Sequence, residues 1–118
     1  MKVQIVALLL TSTVLGHSYI TDCVHDIKVV VEDAAKIAAD HTDTAAIVQC
    51  GQDAETAIKS CEVAYHQLTS DDCKKVVAGF VSEAHYQAYL LKNEPKTSFG
   101  EAASMAKRGS AVVTTCGV

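Results

Sequence analysis

Apolar and polar positions alternate along this chain in steps of three and four. Cys23, Ile27, Val30, Ala34 and Ile37 form the first run, and that rhythm is the apolar stripe of one helix face. It predicts a helix over residues 22–40. After the polar break His41-Thr42-Asp43-Thr44, whose side chains suit a helix cap, the steps resume at Ile47, Cys50, Ala54, Ala57, Cys61, Ala64 and Leu68. This second helix is expected to reach about Leu68. Gly51 interrupts it and reads as a bend or a late start, because an interior glycine costs about 1 kcal/mol against alanine.

A second break, Thr69-Ser70-Asp71-Asp72, offers capping hydroxyls and acids suited to a helix N-terminus. The third stripe is Cys73, Val77, Phe80, Ala84, Ala88 and Leu91. It should stop near Asn93, since Pro95 cannot continue a helix and restricts the residue before it. Ser98-Phe99-Gly100-Glu101 has the S-x-x-E form of a capping box, and it is expected to open a fourth helix with the stripe Phe99, Ala102, Ala106, Gly109, Val113 and Cys116. Four amphipathic segments on short links predict an all-α fold: a small disulfide-stapled four-helix bundle, up-down-up-down. The alternative is an irregular all-α fold with crossed helices.

Composition adds a compartment. The opening MKVQIVALLLTSTVLG has a lysine, an apolar run and small residues at its end, the parts of a secretory signal peptide. The domain plan is a signal peptide over 1–16 and a single helical domain over 17–118, with secretion to the extracellular space. The chain of 118 residues carries a net charge of −4, and removing the signal, with its Lys2, makes it more acidic. An acidic balance without runs argues against nucleic acid or an anionic membrane as partner.

Five cysteines then need an account in an oxidising compartment. At 1.5 Å of rise per residue, the bundle puts Cys23, Cys73 and Cys116 near one end, Cys61 about two turns further along, and Cys50 near the other end. Helices on a diagonal are too far apart for a disulfide. Two frameworks remain: Cys61–Cys73 with Cys23–Cys116, or Cys23–Cys61 with Cys73–Cys116. The first is preferred, because a short loop closes easily. Cys50 is left over, either as a buried thiol packed like a small hydrophobe or as an intermolecular bridge making a homodimer.

Reactive constellations are not legible. The five histidines form no H-x-x-x-H and join no cysteine at zinc-finger spacing, so no metal and no cofactor is expected. Ser104 and Ser110 lack a nucleophile-elbow context. The acid pairs Glu32-Asp33 and Asp71-Asp72 are accounted for by solvation or capping, and so are Glu62 with His66 and the acids beside His25. The expectation is therefore a protein that is not an enzyme. Among apolar residues, Tyr65, Phe80, Tyr86, Tyr89 and Met105 are candidates to line a cavity for a small apolar ligand, with ordinary core packing as the competing reading.

One local resemblance bears on function. "AIKSCEVAYHQL" at 57–68 and "VVAGFVSEAH" at 76–85 resemble the middle helices of plant invertase and pectin methylesterase inhibitors, over about a quarter of the chain. That family's closely spaced N-terminal cysteine pair is missing here, where Cys23 and Cys50 are far apart. The resemblance implies that a secreted disulfide-bearing helical bundle of this kind serves as a protein-binding module. The leading expectation is accordingly a non-enzymatic protein-binding module, its partner another protein or a second copy. The runner-up is an extracellular carrier of a small lipid-like ligand in the bundle core.

Overall fold

The structure is a computed structural model and describes residues 18–117. The expected signal peptide over 1–16, with His17 and Val118, lies outside the described residues. The described residues are all-α: α1 (Tyr19–Ala39), α2 (Thr44–Tyr65), α3 (Asp71–Asn93), the single turn α4 (Pro95–Ser98) and α5 (Gly100–Cys116). Two intramolecular disulfides tie them together.

The polar breaks do the capping work. Ser18 accepts from the Thr21 N–H at 3.3 Å, Asp43 from the Ala46 N–H at 3.1 Å and Ser70 from the Cys73 N–H at 3.2 Å. Each satisfies a donor the first turn leaves open. Asp40 builds the first link by accepting from both the backbone N–H and the hydroxyl of Thr42. These two hydrogen bonds hold its carboxyl below the ordinary carboxylate range. At the far terminus Gly117 closes α5 with φ of 69°, the left-handed conformation glycine adopts without strain.

Three expectations about element ends need correction. α2 stops at Tyr65 rather than near Leu68, which is half-buried in the link. Gly51 does not delay α2, because the helix runs through from Thr44. A Cβ carbon at position 51 would stand 2.7 Å from Lys92 Cγ and 3.0 Å from the Ala88 carbonyl oxygen, so the glycine lets α2 and α3 approach closely. Nor does Ser98 form a capping box with Glu101. Pro95, suited to a first helical position, starts α4 early, and Ser98 is already buried inside that turn. α5 then begins at Gly100 without a side-chain cap.

α1 packs on α2 and α5, and α3 packs on the same two, with α4 bridging the top of α2, α3 and α5. The core they enclose contains Ile27, Val30, Ile47, Val77, Phe80, Leu91, Met105 and Val112, all at most 1% exposed. Burying side chains of this size stabilises by about 1.5–3 kcal/mol each. The first three stripes point inward as read, except at Leu68 beyond the end of α2. The fourth is shifted: its buried positions are Ala102, Met105, Gly109 and Val112, whereas Ala106 and Val113 are only half-buried.

The bridges follow the framework not preferred from sequence. Cys23 pairs with Cys61 and Cys73 with Cys116, at Cα separations of 4.5 and 4.9 Å. The reason is the flank each cysteine occupies. Cys61 lies eleven residues from Cys50, a near-whole number of turns, on the α2 flank that meets α1. Cys73 lies on the α3 flank that meets α5. The short loop between residues 61 and 73 brings the helices together but turns the two sulfurs toward different neighbours.

Candidate functional site

Between α2 and α3 lies an open groove of about 270 Å³, lined by Glu62 and Tyr65 from α2, by His66 at its C-terminal cap, and by Ala78, Val81 and Ser82 from α3. Its residues recur at helical steps of three and four on both sides, which sets two rows of side chains along one seam. Beyond it the seam is crossed by His85 Nε2 and Glu62 Oε2 at 3.6 Å. At the opposite end Lys92 Nζ donates to both Glu55 oxygens at 3.0 Å. These are exposed or half-exposed pairs that orient the two helices and contribute little energy.

The aromatic residues expected to line a cavity separate into two groups. Phe80 and Met105 are sealed in the core, 1% and 0% exposed. Tyr65, Tyr86 and Tyr89 stand on the surface, with Tyr86 at 67% and Tyr89 at 55% exposure. The five therefore line no common cavity, because the α3 stripe that buries Phe80 turns Tyr86 and Tyr89 to the opposite side. Val63 of α2 is also exposed, and Tyr19 is the one further large apolar side chain of this kind among the described residues. Phe99, at the far end, stacks on His41 with ring centroids 4.8 Å apart.

A second cluster lies inside. Asp33 of α1 is only 8% exposed, and its Oδ2 has no hydrogen-bond partner. Burial first, then a hydrogen bond and the charge of Asp53 on α2, push its carboxyl up to about 7; Lys36 pulls the other way and Glu32 adds to the rise. Asp53 also accepts from Gln49 Nε2 at 2.9 Å. Cys50, one turn earlier on the same flank of α2, is the free cysteine and fully buried. Burial, with the charges of Asp33 and Asp53, pushes its thiol up to about 12. Such a thiol is protonated and inert at neutral pH, and its sulfur presents nothing to a second chain while the fold is closed.

Asp33 corrects the expectation that the Glu32-Asp33 pair is solvated. The signal was available, since Val30, Asp33 and Ile37 are spaced by three and four and all are buried. Gln87 likewise sits on the buried α3 stripe with Ala84, Ala88 and Leu91. It is buried on α3 and donates across to Ser104 and Glu101 of α5 at 3.1 and 3.3 Å. Among the described residues no three histidine, cysteine or acidic side chains gather as a metal-binding group, and no helix is long and apolar enough to cross a membrane.

Compared with known proteins, the chain matches no family model, no curated protein and no solved structure. The resemblance of residues 57–68 and 76–85 to the inhibitor helices thus stays a local one.

Proposed function

We propose that this is a small secreted protein, an up-down-up-down four-helix bundle, that acts by binding another protein without catalysis, through the outer faces of α2 and α3. The observation that carries the reading is the placing of tyrosine. Tyr65, Tyr86 and Tyr89, with Val63, are exposed on these two helices, while α5 exposes no large apolar side chain among the described residues. Exposed tyrosines give large, rigid contact area with a polar end, and they are enriched where proteins meet. The antiparallel approach of neighbours, seen in Cys23 with Cys61 and Glu62 with His85, supports the bundle order. Two intramolecular disulfides fit an oxidising compartment. A lipid carried in the core draws no such support, as Phe80 and Met105 fill the space it needs.

The test is a photo-activated crosslinking residue placed at Tyr86, at Tyr89 and, as a control, at exposed Lys107 of α5, in the chain as secreted by its own source. Adducts of one defined mass are expected from positions 86 and 89 and not from 107. The position-86 adduct should disappear when Tyr89 is also replaced by alanine. Equal adducts from all three positions, or none from 86 and 89, would remove the proposed surface.

A further inference from the structure

The two disulfides close the chain into separate halves. Cys23–Cys61 ties α1 to α2, and Cys73–Cys116 ties α3 to α5. A cut in the link over 40–43, or at the junction of α3 with α4, would leave the pieces joined by sulfur. Between the two disulfide loops, only the stretch from Cys61 to Cys73, with the link over 66–70 at its middle, connects one closed hairpin covalently to the other.

The remaining fastenings between the hairpins are non-covalent. Across the α2–α3 seam Lys92 Nζ meets Glu55 at 3.0 Å and His85 Nε2 meets Glu62 at 3.6 Å. Across the α1–α5 seam Gly109 lies against Ile27, and at the far end His41 stacks on Phe99. The inner faces are apolar, with Ile27, Val30 and Ile47 on the first hairpin and Phe80, Leu91 and Met105 on the second, all sealed from water. A parted hairpin therefore exposes an apolar face that water disfavours. The surface shaped to cover it is the inner face of the other hairpin, and a second copy of the chain carries the same one. The link itself is lightly held: the Gln67 N–H donates to the Ala64 carbonyl at 2.9 Å and the Leu68 N–H to the Tyr65 carbonyl at 3.3 Å. His66 is already in the helical region, with φ of −71° and ψ of −12°, and no proline or glycine stands in 66–70. The link can thus straighten as a continuation of α2 without backbone strain.

We propose that two copies of this protein exchange hairpins about the 66–70 link, α1–α2 of each packing on α3–α5 of the other, to give a closed twofold dimer. Each seam of that dimer is the monomer's own seam, so exchange gives up no contact between hairpins and alters only the link. Both bridges stay within their own chains, and the outer side of α3, with Tyr86 and Tyr89, stays open. A short link holds its two hairpins at an effective concentration on the order of millimolar. Exchange consequently requires concentrated protein and a passing exposure of the inner faces, and it is slow in either direction.

The ion pair between Lys92 and Glu55 supplies the test, because a carbodiimide joins these two side chains as an amide. Chains labelled with light and with heavy nitrogen are mixed at about 1 mM, warmed to the onset of unfolding, cooled, separated by size and coupled. Mildly acidic buffer keeps the Cys50 thiol protonated and away from the bridges. A dimer fraction is expected in which about half of the Lys92–Glu55 peptide pairs join a light chain to a heavy one, with none so joined in the monomer fraction. Deletion of residues 66–70, which fuses Tyr65 to Asp71 and leaves no residue to turn the chain back, is expected to give a dimer at micromolar concentration with both bridges still within each chain. Should that variant not fold, the wild-type mixture decides alone. The exchange is overturned by a mixture without a dimer fraction, by a dimer whose Lys92–Glu55 pairs all carry a single label, or by a deletion variant that is a folded monomer.

Discussion

Gly109 of α5 lies so close to Ile27 of α1 that a Cβ carbon at position 109 would stand 2.7 Å from Ile27 Cγ2. Ile27 is fully buried, and its β-branched side chain is stiff at χ1 in a helix. Gly109→Ala is expected to destabilise by about 1–3 kcal/mol through overpacking, outweighing the gain in helix propensity of about 1 kcal/mol. Gly79 is the control. Nothing lies within 4 Å of a Cβ there, so Gly79→Ala should stabilise by about 0.5–1 kcal/mol. Urea unfolding of the two variants checks the opposite signs.

The bridges close loops of 38 and 43 residues. Removing either one as a pair, Cys23→Ala with Cys61→Ala or Cys73→Ala with Cys116→Ala, should cost about 2–5 kcal/mol. Digestion without reduction should yield the Cys23–Cys61 and Cys73–Cys116 peptides and an unbridged Cys50. A double variant with an unchanged denaturation midpoint would contradict the first expectation, and a Cys61–Cys73 peptide the second.

Cys50 sits where an apolar side chain is required. Cys50→Ala should cost about 1 kcal/mol for the space it leaves, and Cys50→Ser more, about 1–3 kcal/mol, for a buried hydroxyl. Non-reducing electrophoresis of protein kept below neutral pH should show a monomer with or without reductant. A reductant-sensitive dimer that vanishes in Cys50→Ala would restore the covalent homodimer.

Stability should depend on pH through Asp33 with a definite sign. The folded chain keeps this proton up to about 7, while the unfolded chain gives it up near about 4. Between those values the native state binds more protons, so stability falls as pH rises. The Asp33 contribution is complete below about 4, is lost across the interval to about 7, and is flat above it. Asp40, held low by Thr42, acts in the opposite sense, its contribution fading as pH falls through its folded value. Denaturation midpoints of wild type and Asp33→Asn, followed across pH, should diverge over the Asp33 interval.

The helices were legible because burial is periodic. Every inward position read on the first and third stripes is buried, from Cys23 to Ile37 and from Cys73 to Leu91. What failed were features set by contacts between elements. Ser98 and Glu101 have capping-box spacing, yet Pro95 fixes the turn first, and Glu101 accepts from Gln87 of another helix. The pairing of Cys61 depends on which flank of α2 meets α1, a rotation of tens of degrees that a three-four stripe does not resolve. Tyrosine is ambivalent, so its side of the helix had to be seen. Carboxylates are mostly solvated, and at Asp33 the position on the stripe outweighs that preference.

Both sulfur bridges sit at the end of the molecule that carries the link over residues 66–70. The opposite end, with Asp40–Thr42, α4 and the ring of His41 against Phe99, is fastened without a covalent bond between helices. The molecule is built like tongs riveted at the handle. On warming, that free end is expected to lose its protection first, with the bridged end holding the arms in register.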